Sequence, residues 1–591
     1  MLRSPVPKHV LRLRWPTFAL LAIALAATKI YAAAPLERPN VVLIMTDDQG
    51  YGDLSCHGNP KLKTPHLDRL AGQSVEFKSF YVCPVCSPTR ASLMTGRYNY
   101  RTGAVDTYLG RSMMYAEEVT LAEMLHRAGY RTGIFGKWHL GDNYPLRAMD
   151  QGFEECLVHR GGGIGQPADP PGNRYFDPIL QHNGQPVRTH GYCSDVFTTA
   201  AIEFVERHRA EPFFVYLPYN CPHTPLQVPE KNYQHYKAMD LSPGEFPAVG
   251  HALPGKVDQD AMARVYGMVA NLDENIGRLL AALDRMKLSE KTLIVFLSDN
   301  GPQQARYNAG MLDRKGNVHE GGIRVPCFIR WQGTLETKTV DRIAAHIDLA
   351  PTLLEACHVE PPEGLHLDGK SLMPLLRGAA DDWPDRELFF QWHRGDVPQP
   401  HRACAVRGQR YKLVQPRGVR GKPLPAEPKF ELFDMQRDPL EMRDIAAEHP
   451  AIVKRLRHAY DAWFADVSGT RGFAPPRIDL GTRHENPVVL TRQDWRGPRA
   501  GWRRDSLGFW EVRVAHEADY KVILRFAAAK VPGSAVLKIA GTTSRQPIAP
   551  KATTVTFRAV HLGAGPARLE AELRHGEKKR GVEYVDVFLV H

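Results

Sequence analysis

Val41-Val42-Leu43-Ile44-Met45-Thr46-Asp47-Asp48 is the stretch on which the fold turns. Five consecutive β-branched or aliphatic residues, closed by polar ones, suit a strand buried on both faces of a parallel sheet, whereas a half-buried strand would alternate. The two carboxylates stand at the carboxyl end of that strand, where α/β folds place their ligand sites. The pattern returns twice. Pro212-Phe213-Phe214-Val215-Tyr216-Leu217 leads into Asn220-Cys221-Pro222-His223, and Thr292-Leu293-Ile294-Val295-Phe296-Leu297 leads into Ser298-Asp299-Asn300-Gly301. Helical stretches separate the strands, such as Leu121 to Ala128 and Met262 to Leu283. Three buried strands that deliver polar groups at one end predict a single shared site in an α/β fold.

Further along, the pattern changes. From about 385, strands are expected at Glu387-Leu388-Phe389-Phe390 and Tyr411-Lys412-Leu413-Val414, followed by a helix around Ala451 to Trp463. This reads as a small α+β subdomain, 385–470, beside a catalytic domain at 35–384. Residues 471–487, rich in Gly, Pro and polar groups, read as a linker. From 488 to 591 apolar and polar residues alternate with period two, as in Phe509-Trp510-Glu511-Val512-Arg513-Val514, and six or more such segments make a β-sandwich.

The composition is that of a globular protein: of 591 residues, 24% are charged and 43% hydrophobic, which excludes disorder, collagen and coiled coil for the bulk. The net charge of +11 is unevenly placed. Residues 1–34 carry five basic residues and no acid, and residues 488–591 carry 18 Lys+Arg against 10 Asp+Glu. The large middle is near neutral, which argues against a nucleic-acid binder. The first 34 residues read as a signal peptide, with basic residues up to Arg14, an apolar run from Phe18 to Ala27, and Ala32 to Ala34 as small residues at its end. The apolar run is too short to span a membrane. A periplasmic or secreted protein follows, with no stable membrane insertion after cleavage. The nine widely spaced cysteines do not resemble a small disulfide scaffold, and Cys83-Pro84-Val85-Cys86 has neither a second Cys pair nor a His pair nearby to make a zinc site.

The most informative motif is Cys86-Ser87-Pro88-Thr89-Arg90, followed by Leu93-Met94-Thr95-Gly96. It resembles the signature of the type I, formylglycine-dependent sulfatases, arylsulfatase A-like members of the alkaline phosphatase superfamily. Gly129-Tyr130-Arg131-Thr132-Gly133-Ile134-Phe135-Gly136-Lys137-Trp138-His139 resembles the family's second stretch, with Phe135 where a smaller residue is usual. The resemblance runs over about 38–465. It implies that Cys86 is oxidised by a maturase to Cα-formylglycine, whose hydrate attacks sulfur and forms a covalent sulfate-enzyme intermediate. It implies one Ca²⁺, held by Asp47, Asp48, Asp299, Asn300 and residue 86, hard oxygen ligands such as this ion accepts. Arg90 would hold the diol, and Lys137 would bind sulfate. His139 would be the base that releases sulfate, and His223 and Lys315 would face the bridging oxygen. Asp313-Arg314 departs from the glycines often found before that lysine.

The implied activity is hydrolysis of sulfate esters, with a sulfated polysaccharide or glycosaminoglycan as the expected substrate. A phosphonate monoester or phosphodiester hydrolase on the same scaffold, and a catalytically silent glycan-binding protein, are the competing readings. His159-Arg160-Gly161-Gly162-Gly163 and Arg306 to Arg314 are candidate pocket residues. In the tail, Trp495, Trp502, Phe509 and Trp510 are open to two readings, a hydrophobic core or a sugar-stacking surface beside the basic charge.

Overall fold

A computed structural model describes Met1, Ser4 and residues 38–379, 383–419 and 422–590. The expected signal peptide lies almost wholly outside these residues. The central sheet has ten strands. In chain order they are β1 (Asn40–Thr46), β2 (Val75–Phe77), β3 (Arg131–Lys137), β4 (Glu155–His159), β5 (Ile179–His182), β6 (Gln185–Arg188), β7 (Phe213–Pro218), β8 (Thr292–Ser298), β9 (Cys327–Trp331) and β10 (Lys338–Val340). Across the sheet they run β10-β2-β9-β8-β1-β7-β3-β4-β5-β6. β1 lies at the centre, parallel to β8 on one side and to β7 on the other.

The register explains why the apolar runs are unbroken. Val41, Leu43 and Met45 point into one core with Leu293, Val295 and Leu297, while Val42 and Ile44 point into the opposite core with Phe213, Val215, Ile294 and Phe296. Both faces are covered by helices, so neither set of side chains meets water. The long helix Gln259–Arg285 packs its buried face on the second core. Phe135 fits the same core by packing its ring at a tilt against Phe204, with ring centroids 5.6 Å apart.

Beyond the sheet, Leu388–Gln391, Cys404–Arg407, Tyr411–Gln415 and Glu431–Asp434 form a four-stranded antiparallel sheet under the helix Pro450–Gly469. From Ile478 onward the chain builds two further sheets, one of six strands and one of four, around a shared core that includes Trp510, Val512, Tyr520, Leu537, Leu569 and Val585. Trp495 and Trp510 are fully buried, 5.7 Å apart, so two of the four tail aromatics are core. Phe509 is half-buried under Arg568, and Trp502 remains exposed.

The stretch 471–487, expected as a linker, is corrected in part. Ile478–Leu480 is a strand paired parallel to Phe509–Val514, with Ile478 and Leu480 buried in the sandwich core. Its Asp479 accepts a hydrogen bond from Arg513 at 2.8 Å. From Arg38 onward the chain forms one compact unit. The tail shares its core with Leu109, Met113 and Leu146, which come from the loops flanking the catalytic sheet. Among the described residues, no helix is long and apolar enough to cross a membrane, and all nine cysteines are free thiols.

Candidate active site

β1, β7, β8 and β3 all end at the same edge of the sheet, and their ends deliver the polar residues. Asp47 and Asp48 follow β1, His223 lies beyond β7, Asp299 and Asn300 follow β8, and Lys137 closes β3. Cys86 starts the helix Cys86–Thr95, all of whose residues are buried. Asp48 and His139 hold left-handed backbone, at φ 68° and 61°. Such strain persists where the surrounding structure imposes it, as it often does at functional sites.

The ten expected residues come together through specific contacts. Lys137 Nζ donates to Asp47 Oδ2 at 2.7 Å, and both side chains are fully buried. Lys315 Nζ and Asn300 Nδ2 both donate to Asp48 Oδ1. Arg90 donates through two nitrogens to Asp299 Oδ2 and through a third to the Lys137 carbonyl. His223 Nε2 stands 3.9 Å from Asp48 Oδ2. His139 Nδ1 stands 3.5 Å from Cys86 Sγ.

The donor set suits a hard cation. Asp47 Oδ1, Asp48 Oδ2 and Asn300 Oδ1 are buried oxygens with no hydrogen-bond partner, and a group of that kind is costly unless something fills it. Oxygen or sulfur atoms of Asp47, Cys86 and Asp299 lie within 4.8 Å of one another, as do ligand atoms of Asp47, Asp48 and His223. Burial and the neighbouring Asp47 charge raise the Asp299 carboxyl to about 6, although Arg90 opposes this. Burial works against the Asp48 charge too, yet Lys315 and His223 outweigh it and hold that carboxyl down. Three acids and an amide oxygen around one centre fit a divalent ion bound through oxygen.

The other titrations suit an anion. Burial pushes both catalytic-edge histidines down. His223 falls to about 3, with Lys315 assisting, and His139 falls well below its usual value, with Lys137 and Arg90 assisting. Both are therefore neutral near pH 7. His139 Nε2 lies 2.8 Å from the Thr107 carbonyl and so carries the proton, which leaves the Nδ1 lone pair facing Cys86. Burial raises the Cys86 thiol, and the Lys137 and Lys315 charges do not reverse this. An unmodified thiol here is a poor nucleophile.

Three neighbours carried no sequence signal as site residues. Thr107 fixes the His139 tautomer. Gln493, from the tail, donates to the Thr107 carbonyl at 3.0 Å and to Ser112 Oγ at 3.2 Å. Asp53 pairs with Arg306, whose Nη2 donates both to Asp53 Oδ2 at 2.7 Å and to the Asp48 carbonyl at 2.6 Å. Arg306, expected as a pocket residue, is buried in that support and also borders, with residues up to Arg314, a cavity of about 500 Å³. The loop at 159–163 does border the site. A Cβ on Gly162 would lie 2.8 Å from the His139 ring, so glycine is needed for this approach. Burial holds His159 neutral, down to about 3, and its Nε2 has no partner.

Comparison with known proteins bears on this geometry. The sulfatase family profile matches residues 39–359, and the profile described as N-sulphoglucosamine sulphohydrolase, C-terminal, matches 308–462. Bovine (Bos taurus) arylsulfatase A is 33% identical over 525 residues, covering 79% of this chain and 94% of its own. Canine (Canis lupus familiaris) N-acetylgalactosamine-6-sulfatase is 30% identical, covering 64% and 72%. The crystal structure of Ps i-CgsB in complex with k-i-k-neocarrahexaose superposes with a TM-score of 0.63 at 26% identity, covering 75% and 94%. The fold and these matches define a hydrolase of sulfuric esters. The chain belongs to the sulfatase family, among the type I enzymes of the alkaline phosphatase superfamily.

Proposed function

We propose that this is an exported, calcium-dependent sulfatase that removes sulfate from a saccharide, with residue 86 working as formylglycine. The observation that carries the reading is the trio of buried, unpartnered oxygens on Asp47, Asp48 and Asn300, set beside Cys86 and the cations Lys137 and Lys315. Asp47, Asp48, Asp299 and Asn300 would hold Ca²⁺, and the bound ion would draw charge from sulfate oxygens. Formylglycine at 86 would supply a hydrated aldehyde as the nucleophile.

The chain's own residues do the rest. Lys137 and Lys315 offer positive charge to the sulfate and keep it in place. Arg90 locks Asp299 and the Lys137 carbonyl, and so fixes the floor of the site. His139, neutral and with Nδ1 free, takes the proton from the group at residue 86. His223 Nδ1 donates to the Thr224 carbonyl at 2.7 Å, which turns Nε2 toward Asp48 and the bridging oxygen. His223 is neutral in the empty site, and a bound sulfate anion beside it would raise its affinity for a proton, so that the imidazolium then formed, or Lys315, serves the leaving alkoxide. The loop at 159–163 brings Gly162 against His139 and Gly163 against His223.

The substrate class rests on the carrageenan hexaose bound by the relative Ps i-CgsB and on the basic tail. We assign residues 1–34 to an export signal, 35–384 to the catalytic domain, 385–470 to its small subdomain, and the β-sandwich to 478–591. The test has two arms. Peptide mass spectrometry across Cys86 from a host with a maturase should show a loss of ~18 Da, the thiol-to-aldehyde change. Turnover of an aryl sulfate should exceed that of the matching phosphonate and phosphate esters. An intact thiol in an active enzyme, or a phosphorus ester preferred by orders of magnitude, defeats the proposal.

A further inference from the structure

The tail sandwich carries a groove of about 720 Å³ that no catalytic residue lines. Its walls are the loop at 499–505, Lys530-Val531, and the turn and edge strand at 575–580. Six cations line it, Arg499, Arg504, Lys530, Lys578, Lys579 and Arg580, against two acids, Asp505 and Glu577. Elsewhere in the tail, Arg513 pairs with Asp479, Lys538 with Glu570 and Arg568 with Glu511. None of the six groove cations makes an ion pair among the described residues, and Arg580 Nε is buried without a hydrogen-bond partner.

Uncompensated like charge gathered around a concavity raises the free energy of the empty protein and is relieved by an anion. Arg580 records this crowding: burial and the Arg504 charge pull its guanidinium below its usual value, more than Glu583 restores. Val531 is exposed and is the one apolar residue among those lining the groove, and the aliphatic stems of its lysines and arginines supply further apolar surface. Cationic heads on aliphatic stems match a chain that presents sulfates at its edges and C–H faces between them. A single-stranded nucleic acid asks instead for aromatic platforms on which bases stack, and no Phe, Tyr or Trp is among the residues lining this groove.

The loop that supplies Arg499 and Arg504 also supplies Trp502, whose ring packs edge-on against Tyr108 at 5.4 Å. Tyr108 adjoins Thr107, which holds His139. One loop therefore has one side in the groove and the other beside the catalytic mouth.

We propose that this groove is a second binding site for the sulfated polysaccharide, engaged along the chain from the ester being cleaved. The inference rests on the sulfatase reading for the identity of its ligand. Two linked contacts on one polymer raise its effective concentration at the active site, so the groove acts on long substrates and not on small ones.

The test substitutes three exposed groove residues together, Arg504→Ser, Lys578→Ser and Lys579→Ser. On a Cys86→Ala background, so that polymer is not consumed, titration calorimetry with dextran sulfate should show binding weakened by about tenfold or more. The salt dependence of binding should be shallower, because fewer counterions are released. Unsulfated dextran should not bind either form. With Cys86 restored, the triple variant should turn over p-nitrophenyl sulfate at the parental rate. Unchanged affinity for dextran sulfate in the triple variant overturns the proposal, and so does equally tight binding of unsulfated dextran or of a single-stranded polynucleotide. Failure of the parental enzyme to cleave p-nitrophenyl sulfate, with groove-dependent dextran sulfate binding intact, strikes the catalytic reading and leaves the anion site standing.

Discussion

At the scale of single residues, each acid of the site has one cation of its own, Lys137 on Asp47, Lys315 on Asp48 and Arg90 on Asp299, and what stays unanswered is a set of oxygen lone pairs. Lys137 neutralises one oxygen of Asp47 and leaves the other bare. Asn300 and Lys315 occupy one oxygen of Asp48 and leave the other bare. An ion that binds the folded chain and not the unfolded one stabilises it by an amount that grows with its concentration. Chelation of the purified enzyme is expected to lower the melting temperature and abolish turnover. Added Ca²⁺ should restore both, and Mg²⁺ much less, because Mg²⁺ demands tighter octahedral geometry and sheds its water reluctantly. Differential scanning fluorimetry across a Ca²⁺ series reads this, and a melting temperature indifferent to both chelator and Ca²⁺ would sink the metal assignment. The acids at 47, 48 and 299 were legible in the sequence because each ends a run that can only be a buried strand. Thr107 and Gln493 were not. Thr107 acts through its backbone carbonyl, which any residue supplies, and Gln493 reaches the site only because a distant domain folds against it.

At the scale of elements, the central strands were legible because burial on both faces forces an unbroken apolar run, and the three runs match β1, β7 and β8 to within a residue. β3 was harder to read from physics alone, since Gly133 and Gly136 interrupt it. Their reason appears in the packing. Gly136 has φ 138°, and a Cβ there would lie 2.0 Å from the Pro218 carbonyl oxygen of the neighbouring strand. The backbones of β3 and β7 approach too closely for any side chain, and Lys137 follows immediately. Gly136→Ala is therefore expected to cost roughly 3 kcal/mol or more, through strain and strand separation. Displacing Lys137 by even ~1 Å should also lower turnover by about a hundredfold at temperatures where the variant remains folded. Thermal unfolding and steady-state kinetics check the two parts separately, and a variant with parental stability would show that the two strands can separate at little cost. The strand Ile478–Leu480 was missed for the opposite reason. Three residues between proline-rich and glycine-rich flanks give too short a pattern to distinguish from a loop, and its identity depends on Phe509–Val514 lying alongside.

At the scale of the whole molecule, the tail is built into the catalytic unit, and the alternating pattern that announced its strands held no hint of where they would dock. Arg160 donates to the Val489 carbonyl, Tyr584 to the Asp169 carbonyl, and Arg496 to the Gly110 carbonyl. Three acids gather around this junction, Asp169 and Asp494 buried and Asp142 half-buried. Burial raises all three, Asp169 to about 7, and the Asp142 charge adds to the rise at Asp169 and Asp494 while Arg160 opposes it at Asp142 and Asp494. A carboxyl whose folded value lies above its unfolded value keeps its proton longer when folded. Its stability contribution is complete below the unfolded value, near 3.8 for Asp169, and is lost as pH rises through about 7. For Asp169 alone, the rise from 3.8 to about 7 corresponds to on the order of 4 kcal/mol. The junction should thus be tightest in acid and loosen toward neutral pH, and the melting temperature should fall across that window. Asp494 is the residue to change, since its Oδ2 is buried with no partner. Asp494→Asn removes the charge that the junction must otherwise accept. It is expected to melt with the parental protein at about pH 4, where the carboxyl is already neutral, and above it by a few degrees at about pH 8. Melting curves of the two proteins that run parallel across the whole range would show that Asp494 does not titrate against folding, and the pH sensitivity of the junction would then have to come from Asp142 and Asp169 alone.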